Sequence, residues 1–226
     1  MERSVKRYTA RRLIAVFLGN FLIGISVSIF RMTLLGNDPS TAFVLALANK
    51  AGTALAPMLW ICGAGWFLIE IIWGRKFIGL GTFVNWFLLG MVADGSTWLL
   101  KQLFTFPETF LPRFIIMLLA LPFVSLGVSL YQSSELGASP YDSLALTLDD
   151  RLPKIPYFWC RIAVDGTFTL LAFLLGGIVG WGTLACALCL GPFVHFFNKH
   201  ISEPFCQVPK NEPEPFENAE ESGKNA

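Results

Sequence analysis

The chain repeats itself at a spacing of 101 residues. Sliding it by that amount sets Val27-Ser28 on Val128-Ser129, Leu35-Gly36 on Leu136-Gly137 and Pro39 on Pro140. It also sets Gly65 on Gly166, Phe67 on Phe168, Gly79 on Gly180, Gly81-Thr82 on Gly182-Thr183 and Leu89-Gly90 on Leu190-Gly191. With Leu45, Leu47 and Ile61, 15 of the 64 positions from Val27 to Gly90 are identical without a gap. Shared apolar composition scatters matches among Leu and Ile, but here Gly, Pro and Thr keep register. A sequence of this kind is expected to fold as two homologous halves.

The medium those halves fold in follows from charge. Hydrophobic residues make up 54% of the chain and charged residues 15%, with a mean hydropathy of +0.58; a soluble domain carries about 25% charge. Uncharged runs extend over Leu13 to Phe30, Ala51 to Ile69, Phe77 to Ala93 and Phe114 to Ser134. A further one from Gly166 to Asn198 has 33 residues, too many for one crossing of about 20. The glycines at 176, 177, 180 and 182 are the natural turn that divides it. Six long membrane helices are expected, three per half, so the fold class is all-α and polytopic.

Between the first and second long helix of each half lies a shorter segment, Pro39 to Asn49 and Pro140 to Asp149. Ten or eleven helical residues reach about 15 to 17 Å, half a bilayer core. If these segments stop halfway, the chain crosses six times and the halves are inverted; if they cross, it crosses eight times and the halves are parallel. Length favours the first arrangement. The loop charges do not separate the two.

The expected organisation is a basic amino-terminal stretch (residues 1–12), a first repeat (13–103), a second repeat (104–201) and an acidic disordered tail (202–226). Arg3, Lys6, Arg7, Arg11 and Arg12 precede the first apolar run, which places the N-terminus in the cytoplasm. The tail from Lys210 holds five Glu and two Lys and belongs on the same side. Cys186-x-x-Cys189 lies in an apolar run without a second pair, so packing accounts for it better than a metal or redox role.

Polar groups inside apolar helices carry the functional expectation. Arg161 and Asp165, four apart, share one helix face and can neutralise each other. The two Leu-Gly-x-x-Pro turns bring Asn37, Asp38 and Ser40 in the first half, and Ser139, Tyr141 and Asp142 in the second, to the starts of the short helices. Helix starts at membrane depth offer free amides and a positive dipole end to an anion or carboxylate. Asp94, Glu70 and Glu135 are expected at the membrane interfaces; buried, any of them could relay protons. The Gly-x-Gly-Thr pairs at 79–82 and 180–183 lack the lysine and spacing of a phosphate loop. The seven Trp and 21 Phe suit lipid-facing positions and call for no aromatic site. No catalytic constellation stands out, and no enzyme activity, metal or cofactor is expected.

These motifs resemble the YczE/YyaS/YitT group of bacterial integral membrane proteins, the YczE-like branch in particular. The likeness rests on Leu136-Gly137-Ala138-Ser139-Pro140-Tyr141-Asp142 and Leu35-Gly36-Asn37-Asp38-Pro39. Trp159-Cys160-Arg161-Ile162 with Asp165, and Gly191-Pro192 with Phe196-Phe197, add to it. The resemblance implies a protein of the bacterial inner membrane. Duplicated halves with Gly/Pro-interrupted short segments at matching positions are a transporter architecture. The leading expectation is a small secondary transporter of an anionic or zwitterionic molecule. The alternative is a non-transporting scaffold or regulator of a partner complex. The bilayer is the expected surround, a small-molecule substrate the possible partner, and nucleic acid is not expected.

Overall fold

A computed structural model describes residues 10–206. Eight helices build the membrane body: α1 (Ala10–Thr33), α2 (Pro39–Ala51), α3 (Leu55–Trp73), α4 (Leu80–Leu103), α5 (Phe110–Ser133), α6 (Asp142–Arg151), α7 (Tyr157–Leu174) and α8 (Trp181–Phe197). A π-helical turn (Asn198–Ser202) and a last helical turn, α9 (Glu203–Cys206), continue α8. Six helices are long and apolar enough to cross a membrane: α1, α3, α4, α5, α7 and the continuous Trp181–Cys206. The order long, short, long, long occurs twice. The basic stretch before Ala10 and the tail beyond Cys206 lie outside the described residues. Where disorder was expected from residue 202, Ser202 and Cys206 are buried. Ser202 bonds Ser129 at 2.6 Å, and the carbonyl of Cys206 accepts from Arg12.

Helix directions follow from which residues meet. Arg12 pairs with Glu135 at 2.7 Å. A Cβ on Gly19 would lie 2.6 Å from the Gly127 oxygen and 2.8 Å from the Tyr131 nitrogen, and one on Gly127 would meet Ile23. Residue numbers rise on α1 as they fall on α5, so the two first helices are antiparallel. They approach closely because neither glycine puts a side chain between the backbones. Along α1 and α4 the numbers rise together: Asn85 donates to Asn20 (2.7 Å), Ser28 to the Ala93 carbonyl (2.6 Å) and Arg31 to Asp94 (3.0 Å). The long helices therefore alternate in direction, and the second half enters opposite to the first.

Neither short helix crosses. α2 starts where Asn37 reaches the Val27 carbonyl, six residues before α1 ends, or about 9 Å back along it. Pro39 suits the first turn because it has no amide to satisfy, and Asp38 caps it by accepting from Thr41 N at 3.1 Å. Gly52, with φ of 65°, ends it, and Leu55 then donates to the Asp94 that also holds Arg31. So α2 leaves on the face where α1 left. Likewise Tyr141 stacks edge-on to Trp66, deep in α3, while Arg151 lies over Trp73 at its end. α6 starts inside the span and returns to the face it came from.

The turns feeding α2 and α6 match residue for residue at the offset of 101. Leu34 and Glu135 have φ of 58° and 54°, a left-handed conformation uncommon outside glycine, followed by Gly36 and Gly137 at 104° and 118°. Gly182 donates its amide to the Leu35 carbonyl and Gly81 donates to Leu136, each at 2.7 Å. Each half thus holds the other half's turn.

Candidate functional site

Both short helices start at one central cavity of about 1440 Å³. Its wall takes in Asp38 and Ser40 from α2, Ser139, Tyr141 and Asp142 from the α6 turn, and Arg161 and Asp165 from α7. Seven of the eight residues singled out from sequence are therefore brought together. Asn37 is not: it faces a separate cavity of about 180 Å³, with its Oδ1 unpartnered.

The start of each short helix is capped in the same way by different chemistry. Asp38 accepts from Thr41 N and from Ser40 Oγ. At the position 101 residues on, Ser139 Oγ accepts from Asp142 N at 3.0 Å and donates to Asp142 Oδ2 at 2.8 Å. The charged side chain thus moves from the cap position to the first helical residue. There it reaches Arg161, which donates through Nη1 to Asp142 Oδ1 at 2.6 Å and through Nε to Asp165 Oδ2 at 2.9 Å. Tyr141 donates its hydroxyl to Asp165 Oδ1 at 2.7 Å, and its ring lies 5.4 Å from the guanidinium. One arginine thus ties α6 to α7 through two carboxylates, where the expectation was a pair.

That arrangement changes what the cavity can hold. Its wall carries three carboxylates, Asp38, Asp142 and Asp165, against the single cation Arg161. The helix starts that would serve an anion are already capped from within the chain, and the arginine is already shared between two acids. Beside them three rings meet edge to face: Trp66 and Tyr141 at 5.2 Å, Tyr141 and Phe168 at 5.2 Å, Trp66 and Phe168 at 5.6 Å. Aromatic faces beside surplus carboxylate favour a cationic group. Trp66, only 8% exposed, went unnoticed in the sequence because an aromatic residue in an apolar helix reads as lipid-facing. Among the described residues no three His, Cys, Asp or Glu side chains could hold a metal ion.

The two ends of the cavity differ. At the end where α1 finishes, Asp94 accepts from Arg31, Leu55 N (3.3 Å) and Ala56 N (2.7 Å), pinning the start of α3 to α4. A Cβ on Gly90 would lie 2.7 Å from the Ala56 Cα, so the seam is tight. The counterparts 101 residues on are Gln132, Pro156, Tyr157, Gly191 and His195, and all of them line the cavity. A Cβ on Gly191 would meet no neighbouring atom within 4 Å, and α7 and α8 scarcely touch. The cavity is closed by the α3–α4 seam and open at the α7–α8 seam.

Glu70 stands apart from its expected interfacial place, being fully buried. Asp94 and Glu135 are ion-paired and partly exposed.

An uncharacterised protein of Haemophilus influenzae is 29% identical over 184 residues, covering 76% of this chain and 82% of that protein. The uncharacterised membrane protein YczE of Bacillus subtilis is 26% identical over 181 residues, covering 80% and 82%. YyaS of the same organism, also uncharacterised, is 25% identical over 195 residues, covering 83% and 92%. No solved structure matches. DUF6198, a family of unknown function, matches residues 10–199, nearly the whole membrane body, and the chain belongs to that family.

Proposed function

We infer that this protein is a small secondary transporter of a zwitterionic or cationic amine. One observation carries the reading: seams built from corresponding residues are closed in one half and open in the other. Inverted halves in different states around one central site are how alternating access works, since exchanging the two states moves the opening to the other face. The duplicated arrangement and the reciprocal turn contacts support the same reading. The solute's amino group would face Asp142 and Asp165 beside Trp66 and Tyr141, with a solute carboxylate near Arg161 as the second contact. With the basic terminus in the cytoplasm of a bacterial cell, the open seam faces the cytoplasm.

The test uses the full chain, purified and reconstituted in liposomes, with a panel of labelled zwitterionic and cationic amines. Saturable uptake that Asp165→Asn and Arg161→Ala both abolish, in variants that remain folded, is expected. Uptake and thermal stabilisation absent for every amine would favour the scaffold alternative. Unchanged ligand binding by Arg161→Ala would remove the site from the central cavity.

A further inference from the structure

Glu70 is the buried charge that the cavity does not explain. It lies in α3 one turn before the end, with no exposure, and neither carboxyl oxygen has a hydrogen-bond partner. The carboxylates of Asp38, Asp94, Asp142 and Asp165 each accept at least two bonds. An ionised carboxyl without a partner in such a place costs several kcal/mol, on the order of the penalty for any uncompensated buried ion. A carboxylic acid holding its proton is an ordinary polar group. Ionisable residues held inside membrane helices at that cost mark ion and proton paths.

The surroundings lead from Glu70 to the cavity. Asp142 on α6 and Tyr131 on α5 lie within electrostatic reach of it, and Tyr131 lies beside Ser139. Tyr131, Ser139 and Asp142 all line the cavity. Thr147 Oγ1, which lies against Gly74 one turn beyond Glu70, is unpartnered. The remaining charges on the elements packed there point elsewhere. Lys76 bonds Asp150 with Asp149 beside the pair, Arg75 turns back to the Ile71 carbonyl, and Arg151 covers Trp73. On α4, Asp94 is engaged at the opposite face with Arg31; Lys101 on α4 and Lys50 on α2 lie toward that face too. The counterpart of Glu70 in the second half is Leu171, so among the described residues Glu70 has no symmetry mate.

We propose that Glu70 is a proton-binding site that exchanges its proton with the cavity past Tyr131 and Ser139, with Asp142 as acceptor. In that exchange the O–H bond of the Glu70 acid breaks and one forms on Asp142. Glu70 becomes the anion, a transient state because of its cost in that place, and Asp142 the neutral acid, with no other reactant needed. Arg161 then keeps Asp165 as its charged partner but loses Asp142, which loosens the tie between α6 and α7. If solute moves through the cavity, its movement is thereby coupled to a proton gradient; that last step alone rests on the transport reading.

Infrared spectroscopy of the purified chain tests the site without any solute. The wild type should show a protonated-carboxyl stretch at neutral pH that shifts in heavy water and is lost in Glu70→Gln. Glu70→Asp, which keeps the acid, should move that band and not remove it. Absence of the band from the wild type, its persistence in Glu70→Gln, or its failure to shift in heavy water would overturn the proposal. Loss of the band on adding sodium at constant pH would also overturn it, by making the ligand a metal cation. In liposomes, a pH gradient should accelerate amine uptake by the wild type, while Glu70→Gln keeps exchange and loses that acceleration. A normal infrared result with no uptake would sink the transport reading and leave the proton site standing.

Discussion

The α3–α4 and α7–α8 seams are built alike and stand differently. Both follow a Gly-x-Gly-Thr turn and carry a Leu-Gly pair, Leu89-Gly90 in one and Leu190-Gly191 in the other. In the first, Gly90 is buried against the backbone of Ala56; in the second, Gly191 is exposed. Since the glycines are the same, they cannot set the state. The difference lies at the helix starts. Asp94 holds Arg31 and two amides of α3, while Gln132, standing where Arg31 stands, brings no charge to pair with. A glycine permits close approach, and a latch decides whether it happens.

The comparison can be broken most sharply by forcing the open seam shut. In a background without native cysteines, Tyr157→Cys with Gly191→Cys places thiols where Ala56 and Gly90 meet in the first half. Oxidation should cross-link them and stop uptake completely, and reduction should restore it. Failure to cross-link in detergent and in membranes alike would mean that α7 never reaches α8. The same latch can be grafted. Gln132→Arg with His195→Asp should raise the yield of that cross-link several-fold, and an unchanged yield would deny that the ion pair sets the seam.

Stability should show the same asymmetry. Gly90→Val drives a side chain into the Ala56 backbone and should cost about 1–3 kcal/mol, as overpacking does. Gly191→Val meets open space and should leave the melting temperature unchanged while lowering uptake. Equal losses of stability would mean that both seams are closed in the membrane. Asp94→Asn should cost about 1–3 kcal/mol, because it leaves the Arg31 charge unmatched and weakens the bonds to the start of α3. Its second effect is diagnostic: a labelled cysteine at Ala56 should become accessible from that face.

The smallest difference lies at the threonines of the turns. Thr82 Oγ1 accepts from Gly79 N at 3.1 Å, whereas Thr183 Oγ1 has no partner. Thr82→Val should therefore cost about 1 kcal/mol in chemical denaturation and Thr183→Val close to nothing. The reverse order would show that the second turn tightens outside the state described.

The helices were legible because charge is so costly in a bilayer that its absence marks each crossing. α8 begins at Trp181, as the glycine turn indicates, whereas α7 begins at Tyr157, ahead of the uncharged run from Gly166, because it carries Arg161 and Asp165 inside the span. The polar residues of the two Leu-Gly-x-x-Pro turns led to five of the seven candidates that line the cavity, and the Arg161–Asp165 pair led to the other two. Three things were not legible. Whether the short helices cross depends on where they end relative to α1 and α5, which only contacts such as Leu55 with Asp94 reveal. That Arg161 holds two acids required Asp142, 19 residues away, to lie one helix over. Glu70 looked interfacial because Arg75 and Lys76 follow it closely, yet its helix face turns inward against α6.

The exchanged bonds between Leu35 and Gly182 and between Leu136 and Gly81 lie at opposite faces of the membrane, because the halves run in opposite senses. Each half is therefore clasped to the other at both ends of the α1–α5 contact, where Gly19 and Gly127 bring the backbones together, so any rearrangement of either seam would have to turn about that shared spine.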